Sequence, residues 1–260
     1  MKIATWNVNS LRVRLPHLLD WLRQQPIDVI GLQETKLVDD AFPFDALKAA
    51  GFDAVHNGQK TYNGVALLSR QPLQDVARDL PGFDGEQKRV IAATIGGVRV
   101  VNVYVVNGQA VGSDKYAYKL RFLSALRDYL AGELARHPQL VVMGDFNIAP
   151  APEDTHDPQL WEGQILCSEA EREGLRALLA LGLRDCFRLF EQPPASFTWW
   201  DYRQAAFRRN MGLRIDHILV SAALAAHCTA CTVDVAPRKL ERPSDHAPVI
   251  AEFPTPSSAN

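Results

Sequence analysis

Short apolar runs recur along nearly the whole chain, and their spacing separates two kinds of element. Runs at residues 3–6, 27–32, 65–69, 90–95, 98–105, 140–144, 214–220, 229–235 and 247–253 predict strands. Gly96-Gly97, between two of them, predicts a hairpin. Helical spacing is rarer. Leu15, Leu18, Leu19 and Leu22 repeat at i, i+3, i+4 and i+7; residues 115–136 carry Leu120, Leu123, Leu130 and Leu134 on one stripe; residues 169–181 make a third helix closed by Gly182. Many strands with helices interspersed predict an α/β protein, two packed sheets covered outside by helices.

Five of the apolar runs end in polar clusters: Asn7, Gln33-Glu34, Asp145-Phe146-Asn147, Asp216-His217 and Asp245-His246. Strand ends collect along one rim of a sheet, so these residues are expected to converge on one site. Carboxylates brought together raise one another's pKa unless a positive charge lies among them, and a divalent metal is the simplest counter-charge.

Length and composition leave this picture standing. The 260 residues, 47% hydrophobic and 22% charged, fit one globular domain over 1–253, with a polar tail at 254–260 rich in Pro, Ser and Thr. No apolar run approaches the ~18 residues that a spanning helix needs. Residues 1–10 lack an apolar signal segment, so a cytoplasmic protein is expected. Cys228-x-x-Cys231 has no second close pair to complete a zinc site, and with Cys167 and Cys186 far apart in sequence, buried thiols are expected. A net charge of −2 is not that of a protein that grips polyanions over its whole surface, so any nucleic-acid contact must be local.

Gly144-Asp145-Phe146-Asn147 carries the most pointed chemistry. On an extended segment Asp145 and Asn147 face the same way, one able to take a proton from water, the other to donate to an oxyanion without adding charge. The plain alternative is an Asx-turn at a strand end. Glu34 with Asn7 offers oxygen ligands of the kind magnesium takes. Asp245 beside His246 can fix a tautomer or favour a protonated ring, and an imidazolium suits a phosphate. Asp216 pairs alternatively with Arg214, although neighbours on a strand point to opposite faces.

These residues resemble the exonuclease III family of AP endonucleases, within the endonuclease/exonuclease/phosphatase superfamily of metal-dependent phosphoesterases. The resemblance runs nearly end to end. It rests on Trp6-Asn7-Val8-Asn9-Ser10-Leu11-Arg12, Gly31-Leu32-Gln33-Glu34-Thr35-Lys36, Tyr62-Asn63-Gly64-Val65-Ala66, Gly144-Asp145-Phe146-Asn147, Trp200-Asp201-Tyr202-Arg203, Gly212-Leu213-Arg214-Ile215-Asp216 and Ser244-Asp245-His246-Ala247-Pro248. It implies a four-layered α/β sandwich, two mixed sheets flanked by helices. It also implies Mg²⁺, with Mn²⁺ as substitute, held mainly by Glu34 with help from Asn7 and Asp245, and with Asp145, Asn147 and His246 around the metal. In the same family Asp145 orients or deprotonates the attacking water, Asn147 holds the scissile phosphate, and Tyr104 and Asp216 match a catalytic tyrosine and a supporting acid. His246 matches a phosphate-contacting histidine, here expected to be oriented by Asp245. One departure is Val106, where the family usually has proline after the tyrosine; it bears on loop stiffness and leaves the chemical groups intact.

Residues 201–214 hold Arg203, Arg208, Arg209 and Arg214 against one acid, Asp201. With Trp199, Trp200, Tyr202 and Phe207 among them, the segment reads as a stacking and phosphate-binding surface, or as a solvated loop. Trp199, Trp200 and Leu213 are expected to stack where an abasic nucleotide leaves the helix, with the loop at Leu166 and Cys167 as the opposite wall; one tryptophan is expected in the core. Lys36, Arg89 and Lys115 add phosphate contacts by family analogy. The expected function is a monomeric Mg²⁺-dependent DNA repair nuclease acting on double-stranded DNA at 3′ ends and abasic sites. Its rivals are a 3′-end enzyme without abasic cleavage, a phosphatase for inositol phosphates or phospholipid head groups, and a non-catalytic nucleic-acid-binding regulator.

Overall fold

The computed structural model of the protein describes residues 1–83 and 85–254; of the tail expected at 254–260, residues 255–260 lie outside the described residues. The strands are β1 (Lys2–Asn7), β2 (Val29–Gln33), β3 (Asp53–Asn57), β4 (Val65–Ser69), β5 (Gln74–Arg78), β6 (Val90–Ile95), β7 (Val98–Tyr104), β8 (Leu140–Asp145), β9 (Leu183–Asp185), β10 (Trp199–Trp200), β11 (Gly212–Leu213), β12 (Asp216–Ser221), β13 (Ala230–Val233) and β14 (Val249–Glu252). The helices are α1 (Leu11–Gln24), α2 (Phe44–Ala49), α3 (Asp114–Arg136), α4 (Pro158–Trp161), α5 (Glu169–Leu179) and α6 (Ala222–Ala225). One six-stranded sheet runs β13-β14-β1-β2-β4-β3 and the other β5-β6-β7-β8-β12-β9, with β10 and β11 as a separate ribbon.

Why the strand runs are continuously apolar follows from the cores. Alternate residues of β1 fall in different clusters, Ile3 between the sheets and Ala4 and Trp6 against the α1 and α2 side. In β8, Val141 and Met143 face the inter-sheet core while Leu140 and Val142 pack with Leu123, Leu126 and Leu130 of α3 and Leu175 of α5. Both faces of the central strands are therefore buried, and the order of layers is helix, sheet, sheet, helix. This is the architecture that the chain's resemblance implied, and β6 and β7 pair antiparallel across the Gly96-Gly97 turn as expected.

A polar bridge crosses the two sheets just behind the rim. Gln33 Nε2 donates to Thr5 Oγ1 at 2.8 Å and to Asn102 Oδ1 at 2.6 Å, and Asn102 Nδ2 donates to the carbonyls of Leu32 and Ala66 at 2.9 and 2.8 Å. Gly31 makes room for it, because a Cβ there would lie 2.8 Å from the Asn102 side chain. Three of these bonds join Asn102 of one sheet to residues of the other, so the bridge fixes how the sheets face one another, although Gln33 Oε1 is left buried without a partner.

Cys186 and Cys231 are buried and Cys228 lies at the edge of the same inter-sheet core; all four cysteines are free. Among the described residues no helix is long and apolar enough to cross a membrane.

His217 on β12 is a buried neutral imidazole. Its Nε2 donates to Ile148 O at 2.9 Å and its Nδ1 accepts from Arg214 Nη1 at 3.0 Å. Burial, joined by the Arg214 charge, lowers its pKa below 6.5. The unfolded ring takes up a proton as pH falls through about 6.5 while the folded ring does not, so this group's contribution to stability declines below that pH. Urea unfolding at pH 7.5 and 5.5 should show the decline, at most about 1.4 kcal/mol per pH unit from this one group. His217→Gln should flatten that part of the profile; an unchanged profile would assign the acid sensitivity elsewhere.

Candidate active site

The rim is where the parallel pairs end. β1 and β2 run together to Asn7 and Gln33, and β7 and β8 to Tyr104 and Asp145. β12 enters antiparallel with Asp216 opposite Asp145. The backbone then turns sharply. Gly144, at φ 152°, is required because a Cβ would sit 1.9 Å from Val103 O. Glu34 and Asn147 take left-handed backbone at φ 52° and 50°, a conformation costly for ordinary residues and concentrated where side chains must be aimed. The segment after Asp145 is thus turned and not extended, yet the carboxamide of Asn147 still reaches its neighbour.

Asp145 is the centre of the cluster. Its Oδ2 accepts from Asn7 Nδ2 at 2.9 Å and Asn147 Nδ2 at 3.2 Å, and its Oδ1 accepts from Asn147 N at 2.9 Å. The same Asn7 amide donates to Glu34 Oε1 at 2.9 Å, so one side chain spaces the two carboxylates. His246 Nε2 lies 3.8 Å from Asp145 Oδ2 on the far side, and His246 Nδ1 bonds Asp216 Oδ2 at 2.9 Å. Burial lifts the Asp145 pKa to about 7, with repulsion from Asp216 and Glu34 adding to it and His246 opposing it. Burial would lower the His246 pKa, but Asp216 first and Asp145 next outweigh it and hold the ring up to about 10. The result is an imidazolium clasped between two carboxylates.

The donor set suits a hard cation. Ligand atoms of Glu34, Asp145 and His246 lie within 4.8 Å of one another, the one such group among the described residues. With His246 committed to Asp216 through Nδ1, the oxygens of Glu34 and Asp145 are the ones that fit Mg²⁺-like coordination, with Asn7 Oδ1 close by and bonded by Asn9 N at 3.0 Å.

Several expectations need correcting. Asp245 does not orient His246: its Oδ2 accepts from Trp199 Nε1 and its Oδ1 from Asn9 Nδ2, each at 2.9 Å. The orienting acid is Asp216, because β12 delivers it to the ring's inner nitrogen. Nor does Asp216 pair with Arg214, which is buried against Asp154 and Asp185 at 2.7 and 2.8 Å and so leaves the basic surface. Trp200 and Leu213 do not offer stacking faces. Trp200 is 2% exposed, edge-on to Phe207 and bonded through Nε1 to Asn210 Oδ1, and Leu213 is fully buried beneath Leu166 and Cys167.

Trp199 remains partly open, Arg203 is 84% exposed beside Asp201, and Arg208 and Arg209 are exposed. Lys36 Nζ sits 2.9 Å from Glu34 Oε2. Next to the rim runs a groove of about 1040 Å³ lined by Tyr62, Asn63, Arg89, Tyr104, Asn107 and Lys115. The Arg89 guanidinium lies 4.6 Å from the centre of the Tyr104 ring, and burial, with Glu34 and Asp145 nearby, raises the Tyr104 hydroxyl well above its usual pKa. Val106, in place of proline, is buried in the α3-side core.

Asn9 was visible only as part of a motif, and its role was missed. It donates to Asp245 and accepts from Lys36 Nζ at 2.6 Å. Thr198 was missed as well; its Oγ1 accepts from the backbone of Ile215 and Asp216 at 3.0 and 3.1 Å and so sets the start of β12. The Asn7-x-Asn9 repeat, parallel to Asp145-x-Asn147, was the available signal for the first; nothing in the sequence marked the second.

The model of the Endonuclease/Exonuclease/phosphatase family matches residues 4–246. The chain belongs to this family. It is 39% identical to the exodeoxyribonuclease III of Haemophilus influenzae over 97% of this chain and 100% of that protein. Among solved structures it resembles the 3′ phosphatase NExo from Neisseria bound to a product DNA hairpin, with 53% identity, a TM-score of 0.96, and 98% and 100% of the two chains covered. It also resembles an AP endonuclease from Archaeoglobus fulgidus, with 37% identity, a TM-score of 0.95 and the same coverage.

Proposed function

We propose that the protein is a Mg²⁺-dependent DNA repair nuclease that hydrolyses phosphoester bonds at the 3′ ends of duplex DNA. The observation that carries this reading is Asp145, buried between two amides, next to Glu34 and an imidazolium. With its pKa near 7, Asp145 is suited to take a proton from water near neutral pH. Asn147 and the His246 imidazolium face the same carboxylate and are placed to donate to a phosphate oxygen as charge builds there; the longer Asn147 bond to Asp145, at 3.2 Å, is the one exchanged for substrate. Glu34 and Asp145, with Asn7, would hold the metal, which when bound supplies Lewis-acid stabilisation of phosphate charge. The groove at Arg89 and Lys115, with Lys36, Trp199 and Arg203, supplies a local, salt-sensitive grip on DNA that a phosphatase for small inositol phosphates would not use.

A specific observation favours 3′ ends over internal abasic sites. Trp200 and Leu213, the residues expected to replace stacking around an extruded abasic nucleotide, are buried, Leu213 in one cluster with Leu166 and Ile215, so they offer no free apolar face, and a 3′ terminus needs less distortion of the duplex.

The test sets a duplex with a 3′-phosphate beside one with an internal abasic site and a free inositol phosphate. Release of the 3′-phosphate in Mg²⁺ or Mn²⁺, its loss in excess chelator, and abasic cleavage at least about tenfold slower are expected. Glu34→Ala should weaken metal dependence more than DNA binding. Full turnover in chelator would refute the reading; inositol phosphate as the better substrate would replace it.

A further inference from the structure

We propose that the buried pair Lys119–Glu171 is a positioning device for Asn147, tying the loop that carries this amide to two neighbouring loops. The inference rests on the reading of Asn147 given above. Lys119 on α3 and Glu171 on α5 are both fully buried, on the inner faces of helices whose other buried residues, Glu133 and Arg172 apart, are apolar. The three donors of the ammonium go to three separate segments. They reach Asn147 O at 2.7 Å, Asn107 O at 3.1 Å and the Glu171 carboxylate.

Glu171 then passes the connection on. Its Oε1 accepts from Leu166 N at 3.0 Å, and its Oε2 accepts from Ser168 N at 3.0 Å and Ser168 Oγ at 2.6 Å. On the other side, Asn107 Nδ2 donates to Asn147 Oδ1 at 3.2 Å. Beyond its bonds to Asp145, Asn147 is therefore held at its backbone carbonyl by Lys119, at its side-chain oxygen by Asn107, whose own carbonyl Lys119 also holds, and at its Nδ2 by Val105 O at 3.0 Å. That hold fixes which end of the carboxamide faces Asp145.

Two buried charges are an expensive way to join helices, since apolar residues of similar volume commonly do as well. A pair kept for stability alone would have no need to reach the carbonyls of two active-site loops. A left-handed residue such as Asn147 also needs its surroundings to hold it in place. Displacement of a reacting group by about 1 Å can cost about a hundredfold in rate, so the tether is expected to act on turnover more than on binding.

The experiment is a double-mutant cycle between Lys119→Met and Asn147→Ala in the full chain, with Mg²⁺ and the 3′-phosphate duplex. Lys119→Met is expected to lower kcat by about tenfold or more with KM for DNA within about threefold. In the Asn147→Ala background the same change should cost less than about twofold, because the group it positions is gone. A purely structural role would give equal losses in both backgrounds, and such additivity overturns the inference alone. An inert Asn147→Ala would sink the reading of the site and this inference with it. If Lys119→Met does not fold, Glu171→Gln, which keeps the volume, takes its place in the cycle; failure of both to fold would assign the pair to stability and overturn the proposal.

Discussion

Asp145→Asn is expected to lower kcat on a 3′-phosphate duplex by about a hundredfold or more, close to 3 kcal/mol of transition-state stabilisation, while DNA affinity holds or tightens. The substitution keeps the volume and most contacts but removes the group that takes the proton. It also removes one negative charge facing phosphate, hence the direction expected for affinity. Asn147→Ala should cost a similar factor for a different reason, the loss of a neutral donor to the developing oxyanion. Single-turnover rates separate chemistry from product release, and fluorescence anisotropy with a labelled hairpin reads binding. Near-normal kcat in either variant would remove that residue from the mechanism. A large loss of affinity with unchanged kcat would recast both as substrate-binding groups.

The separate expectations for these two residues depend on a geometry that the sequence supplied only in part. The apolar runs of β1, β2, β7, β8 and β12 were legible because both faces of those strands are buried, so their composition alone marks them. β3, β5 and β9 were not read as strands: they lie at sheet edges or near them, β5 is largely polar with an irregular register, and β9 is three residues long. That polar strand ends meet on one rim was likewise legible, and Asn7, Glu34, Asp145, Asp216 and His246 do meet.

Which acid holds the histidine was not legible. Sequence adjacency favoured Asp245, but two neighbours on an extended chain point to opposite sides, and Asp216 arrives opposite Asp145 through strand register. Burial of Trp200 and Leu213 was hidden for a related reason. Both lie in the two-stranded ribbon of β10 and β11, too short to show a pattern, whose inner side is closed by Ala206, Ala247, Leu166 and Cys167. A left-handed residue at Leu166 cannot be read from the letter L, since leucine has no preference for that conformation.

The Asp216–His246 assignment leads to the second large effect, in which charge and geometry are tested apart. His246→Gln removes the imidazolium and should lower kcat by about a hundredfold or more, as expected for loss of a charged donor in a dry site. Asp216→Asn keeps a side chain of the same shape beside Nδ1 but removes the charge that Asp216 contributes to holding the ring pKa up to about 10. The sign follows directly. The active ring is the protonated one, so activity falls as pH rises through its pKa; in the unmutated protein kcat/KM should rise as the Asp145 carboxyl ionises around pH 7, level off above it, and fall near 10. Without Asp216, burial and the remaining carboxylates compete more evenly, and the alkaline limb should move down by about a unit or more. At pH 7 the Asp216→Asn variant should then lose less activity than at pH 9, whereas His246→Gln should lose the limb altogether. Rate profiles from pH 6 to 10 at one ionic strength make the comparison, since the phosphate grip itself varies with salt. An alkaline limb that stays in place in Asp216→Asn would show that the ring's charge is set by Asp145 and leave Asp216 with orientation alone.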